Sequence, residues 1–204
     1  MPVKSRRQTV SEETRQLLEK SATHLFATRK YEEVSVDNIA AATGLTKGAF
    51  YHHFNSKVDI FEACYSGQVI RIASHVKSTC NETDAATLAI ARANTFLNYV
   101  LKNNDKLIRL DTAISVFTWA RWKALDTNIF FPLISEPLEL LHTQNQLSFA
   151  SIPLLCDMLH AVLFNAIMSM AYSENPKQTM DLSMNIFTTF FQSLIDQPKT
   201  SSMS

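Results

Sequence analysis

Apolar residues fall at positions 17, 18, 22, 25 and 26, the spacing of one face of an α-helix. The pattern predicts a first helix from Thr9 or Ser11 to Thr28, with Glu12 and Glu13 at the positive end of its dipole. After "RKYEEV", Ser35 is placed to cap a short second helix, with Val34 and Ile39 at the two positions of a hydrophobic staple. Gly44 ends that helix, because a left-handed turn residue costs glycine no steric strain. Thr46 then caps a third helix, with Leu45 and Phe50 as its staple, and Asn55 or Ser56 caps a long fourth one to Thr79. Polar connectors at "CNETDA", "KNND", "HTQNQLS" and "SENPK" mark off helices near Asp84–Leu101, Asp105–Thr118, Trp119–His142, Ile152–Tyr172 and Pro176–Ile195. Pro132 and Pro137 are expected to break or kink the third of these, and the tail "QPKTSSMS" is expected to be flexible.

Composition supports the same fold class, all-α. The chain has 204 residues and 46% hydrophobic content, enough for a packed core, and only three glycines, at 44, 48 and 67, to serve hairpin turns. Charge divides it. Up to Lys57 there are nine basic against six acidic residues, and beyond it ten against thirteen, giving +3 and −3. A basic N-terminal segment on a mildly acidic remainder suits a protein that presents its N-terminus to a polyanion. Cys64, Cys80 and Cys156 have no paired spacing, which fits reduced thiols in a cytoplasmic setting, and the N-terminus lacks the apolar core of a secretory signal. Ile152–Tyr172 is apolar, but Asp157, His160 and Asn165 are costly in lipid, so a helix buried in protein is expected there and no membrane partner.

The stretch "TKGAFYHHF", residues 46–54, carries the chemistry. Ala40 where two helices cross, Gly44 in the turn, and Ile39, Leu45 and Phe50 as locking residues fit a helix-turn-helix. Thr46 and Lys47 then sit at a helix N-terminus, where free amides favour a phosphate, and Gly48 allows close approach to a duplex. Tyr51 and His52 come next on the exposed face and can reach phosphates or base edges in a major groove. Ser35 and Lys57 open the neighbouring helices as further contacts, whereas His53 and Phe54 are expected to pack inward.

On these residues, "VSVDNIAAATGLTKGAFYHHFNSKVDIF" resembles the N-terminal signature of the TetR family of bacterial transcriptional regulators. The match is close from Val34 to Phe61, with Thr46, Gly48, Tyr51, Phe54 and Lys57 in one register, and loose over the first helix. The resemblance implies a DNA-binding module at residues 1–56, a ligand-binding and dimerisation domain at 57–197, and leaves 198–204 as a tail. It also implies that Thr46, Lys47, Tyr51, His52 and Lys57 lie where family members commonly touch operator DNA, and that the last two long helices join two chains into a homodimer.

The second domain offers two further readings. Leu155, Leu159, Val162, Ala166, Met184, Phe187 and Phe191 recur at helical spacing and fit either a dimer interface or burial within one chain. Phe96, Tyr99, Phe117, Trp119 and Trp122 cluster in sequence, and no Lys or Arg occurs between Lys123 and Lys177. A pocket there would take a hydrophobic effector, neutral or cationic, with Asp126 or Asp157 as counter-charge and His160 nearby. No cofactor is expected. Cys156 and His160, four apart on one helix, are the alternative from enzyme chemistry, as two metal ligands or a thiol with its base, but spacing supplies no third group. A helical binding or interaction protein without DNA affinity is the remaining alternative.

Overall fold

A computed structural model describes residues 6–147 and 151–195. The expected tail at 198–204 lies outside them. Among the described residues every regular element is a helix. They are α1 (Arg6–Thr28), α2 (Val36–Thr43), α3 (Lys47–His53), α4 (Lys57–Thr79), α5 (Ala85–Asn103), α6 (Leu110–Val116), α7 (Trp119–Thr143), α8 (Ile152–Ala171) and α9 (Pro176–Leu194), with a 3-10 turn at Tyr31–Glu33.

The chain forms two compact units: one runs up to Val69 and includes Asn103–Trp122, and the other takes in Ile70–Lys102 and the chain from Lys123. Helices α4 and α7 each contribute to both. In the first unit Leu18, Ala22, Leu25 and Phe26 of α1 are buried, as their spacing predicts, together with Ile39, Phe50, Phe54 and Phe61. Phe61 meets Phe26 edge to face at 5.0 Å between ring centres and Phe117 at 5.3 Å. Buried Gln68 of α4 fixes the segment before α6: its amide nitrogen donates to the Ile108 carbonyl at 3.0 Å and its oxygen accepts from the Ile108 N–H at 2.8 Å. This helps explain why α6 is shorter than the expected Asp105–Thr118, since the Ile108 backbone bonds to a side chain instead of a helical neighbour.

In the second unit, α8 and α9 pack through Leu155, Leu159, Leu163 and Ala166 against Met180, Met184, Phe187 and Phe191, with Leu97, Leu138 and Leu141 joining the same core. The helix α7 does not break. It runs through both Pro132 and Pro137. Pro137 has no N–H for the carbonyl four residues back, but that carbonyl, of Leu133, accepts from Nη1 of Arg92 on α5 at 2.9 Å. A side chain therefore supplies the bond that the proline removes. Helix α8 is long and apolar enough to cross a membrane by length and composition. Its polar residues are answered within the protein: Asp157 pairs with Lys123 at 3.2 Å and His160 with Asp126 at 2.7 Å.

Candidate nucleic-acid interface and cavity

The turn between α2 and α3 is built by local hydrogen bonds. Ser35 accepts from the Asn38 N–H at 3.1 Å while its own N–H donates to the Asn38 side chain at 2.9 Å, a reciprocal cap that satisfies two amides at the start of α2. Gly44 has φ 69°, a left-handed conformation, and the amides of Gly44 and Leu45 return to the carbonyls of Ala41 and Ala40. Thr46 accepts from the Ala49 N–H at 3.1 Å and starts α3. Phe50 and Phe54, with ring centres 5.8 Å apart, are buried and hold α3 against the unit. Ser56, not Asn55, caps α4, by accepting from the Asp59 N–H at 3.1 Å.

What α3 leaves outside is polar and accessible. Lys47, Tyr51 and His52 are exposed, and Tyr51 keeps 49% of its surface. A side-chain carbon added at Gly48 would meet only the Thr46 hydroxyl, at 3.7 Å, and the residue has an ordinary helical backbone. Nothing in the chain's own packing requires glycine there. Lys47 forms a salt bridge with Asp37 at 3.0 Å, and that hydrogen bond holds its ammonium above the usual lysine range. A phosphate would compete with Asp37 for it. His53 is half-buried, and desolvation, with His52 and Arg15 nearby, lowers its pKa. Two predicted contacts are more committed than the sequence suggests. The Ser35 hydroxyl serves the α2 cap, and half-buried Lys57 donates to the Tyr31 carbonyl at 2.9 Å with its ammonium 4.0 Å from the centre of the Tyr31 ring. Helix α1 adds a feature that the α3 motif did not flag: Ser11 and Thr14 share a surface groove with Ala49, His52 and His53.

The second unit contains a cavity of about 40 Å³, room for about three waters. Its wall includes Phe96, Phe130, Leu163 and Phe187, with Arg92 and His160 as polar members. Phe96 and His160 were expected to line a pocket. Other residues assigned to it lie elsewhere. Tyr99 packs on His75 at 4.9 Å between ring centres, and Asp157 is half-exposed and paired with Lys123. Phe117 and Trp122 are buried in the first unit, where the Trp122 indole donates to the Tyr65 hydroxyl at 3.1 Å, and Trp119 is 59% exposed. Adjacency in sequence misled here because α6 and the start of α7 belong to the first unit. The argument from missing positive charge also fails at Arg92, which reaches this wall from α5. Its place at helical spacing with the apolar Ala85, Ala89, Ala93 and Phe96 was the available signal.

The expected interface residues need a similar correction. Leu155, Leu159, Ala166, Met184, Phe187 and Phe191 are all buried within the chain and Val162 is half-buried, so these residues build the core of the second unit. The large apolar side chains exposed on α8 and α9 are Leu154, Met158, Leu182 and Ile186. Cys156 is fully buried, and its desolvation raises the thiol pKa to about 11, which keeps it protonated at neutral pH. Among the described residues no three His, Cys, Asp or Glu side chains gather as metal ligands.

Known proteins resemble this chain over both units. The family model "Bacterial regulatory proteins, tetR family" matches residues 19–64, and "Tetracyclin repressor-like, C-terminal domain" matches residues 86–194. The transposon Tn10 TetC protein of Escherichia coli is 26% identical over 200 residues, covering 97% of this chain and all of that protein. The transcriptional repressor DhaR of a Mycobacterium species is 31% identical over 94 residues, 45% of each chain. The crystal structure of a TetR-family transcriptional regulator from Pectobacterium atrosepticum superposes with a TM-score of 0.76 at 20% identity, covering 96% of this chain and all of that one.

Proposed function

Because the chain belongs to the tetR family of bacterial regulatory proteins, we propose that it is a ligand-responsive transcriptional repressor that binds a near-palindromic operator as a homodimer. The observation that carries this reading is the face of α3. Its N-terminus is capped but its lysine, tyrosine and histidine point away from the core, and its glycine has no role in the chain's own packing. Residues 1–56 form the DNA-binding module: Thr46, Lys47 and Gly48 meet the phosphate backbone, and Tyr51 and His52 extend into the groove. Ser35 and Lys57 contribute at the margin after rearranging their present bonds. Repression agrees with the name of DhaR, the partial relative.

Residues 57–197 bind the effector and join the two chains. Leu154, Met158, Leu182 and Ile186 would meet their copies across a two-fold axis, which replaces the buried set read from the sequence. The effector enters the cavity walled by Phe96 and His160 and lowers operator affinity. Both recognition helices must reach grooves about 34–36 Å apart, or a multiple of that, so a small change carried along α4 is enough to disfavour binding. A transcription regulator of this kind works in the cytoplasm, which agrees with three buried cysteines that have no paired spacing in the sequence. The test is fluorescence anisotropy with the duplex flanking the chain's own coding region. Salt-dependent binding that favours it over a scrambled duplex is expected, and equal affinity for both would overturn the reading.

A further inference from the structure

One group on the cavity wall has bonding that the chain leaves incomplete. Arg92 is 7% exposed; its Nη1 donates to the Leu133 carbonyl and its Nη2 to Glu136, each at 2.9 Å. Its Nε is fully buried and has no acceptor in the protein. A guanidinium N–H in that position is costly unless something accepts from it, and Phe96, Phe130, Leu163 and Phe187 around the same space cannot.

We propose that the cavity takes an uncharged, mainly apolar molecule carrying one acceptor oxygen of carbonyl or ether type, received by the Arg92 Nε–H. The proposal rests on reading the cavity as the effector site and specifies its chemistry. Charge selects against an anion, and bonding selects against a cation. Arg92 is already paired with Glu136, and His160 on the same wall is paired with the buried carboxylate of Asp126. A ligand carboxylate would bring a third negative group to a site with one permanent positive charge. An ammonium has no lone pair to accept from the Arg92 Nε–H and leaves that donor unanswered, whatever the two carboxylates offer it. A neutral oxygen completes the bonding and adds no charge. The cavity of about 40 Å³ is smaller than a six-membered ring with a substituent, so such a ligand must displace aromatic side chains as it enters. Phe187 and Phe191, which line the cavity from α9, are placed to transmit that displacement along the helix.

The test compares four compounds that share a benzene ring: acetophenone, ethylbenzene, benzoate and benzylammonium, titrated calorimetrically against the full chain. Acetophenone is expected to bind at least tenfold more tightly than the other three. Arg92→Lys keeps a cation for Leu133 and Glu136 but lacks Nε; it should remove that advantage and leave ethylbenzene unchanged. Leu163→Trp, checked for folding by circular dichroism, fills the cavity and should abolish binding of all four. The proposal is overturned if an ion or ethylbenzene binds as well as acetophenone, if acetophenone binding survives Leu163→Trp, or if none of the four binds. Operator affinity of the unliganded chain is measured alongside. Its absence would sink the regulator reading while a preference for acetophenone stood, whereas intact operator binding without that preference sinks only the ligand class.

Discussion

Ile186 and Phe187 are adjacent on α9 and should respond oppositely to substitution. Ile186 is 65% exposed, whereas Phe187 is 3% exposed and stacks on Phe191 with ring centres 5.9 Å apart. Fully burying an isoleucine is worth about 1.5–3 kcal/mol, so the part still exposed represents roughly 1–2 kcal/mol. A two-fold interface contains the residue twice, which makes roughly 2–4 kcal/mol of dimer affinity, or roughly a 30- to 700-fold change in dissociation constant. Ile186→Glu should cost at least this much, because it also places a carboxylate where a partner must pack. Phe187→Ala should act on the monomer instead, at about 3–5 kcal/mol for an emptied core position. Sedimentation velocity over a concentration series reads the first effect and urea unfolding the second. If Ile186→Glu leaves the dimer constant unchanged, or Phe187→Ala alters association without altering stability, the assignment of inner and outer faces is wrong.

Ser35→Ala removes one half of the α2 cap and should cost about 1 kcal/mol, seen as a lower urea midpoint with an unchanged slope. Arg92→Met leaves the Leu133 carbonyl unanswered and should cost about 1–3 kcal/mol; adding Pro137→Ala should recover part of it, because residue 137 then has an N–H for that carbonyl. A double-mutant cycle with additive costs would refute the link. Burial holds the Cys156 proton to about pH 11, against an ordinary value of 9.0, so the unfolded chain releases it first as pH rises. Its contribution to stability should be intact below pH 9 and lost between pH 9 and about 11, and Cys156→Ala should flatten the pH dependence of unfolding there.

The helix-turn-helix was legible because each of its signals is local. Ser35 and Asn38, Gly44, and Thr46 with Ala49 interact within one turn of chain, and the side chains needed are those that the sequence shows. The faces of α9 were not legible for the opposite reason. Two apolar stripes run along it, one through Met180, Met184, Phe187 and Phe191 and one through Leu182 and Ile186. Helical spacing identifies both but does not say which meets the chain's own core. Arg92 shows the same limit at long range, since its burial follows from Pro137, 45 residues on, needing a donor for a carbonyl that happens to face α5. Trp119 and Trp122 looked like pocket residues because they cluster in sequence with Phe96, Tyr99 and Phe117, yet the division between units falls after Trp122.

The central claim is that α3 reads DNA, with Lys47 as an attractive contact and His52 as a discriminating one. Lys47→Ala and His52→Ala should be titrated against operator and scrambled duplexes at several salt concentrations, with folding checked by circular dichroism. Both side chains are exposed, so neither change should unfold the module. Lys47→Ala should weaken binding to both duplexes alike and flatten the salt dependence by about one counterion per protomer. His52→Ala should spare the scrambled duplex and cost about 1–3 kcal/mol per contact on the operator, with relaxed preference at the base pair it meets. Equal losses on both duplexes for both variants, or no loss for either, would contradict the claim.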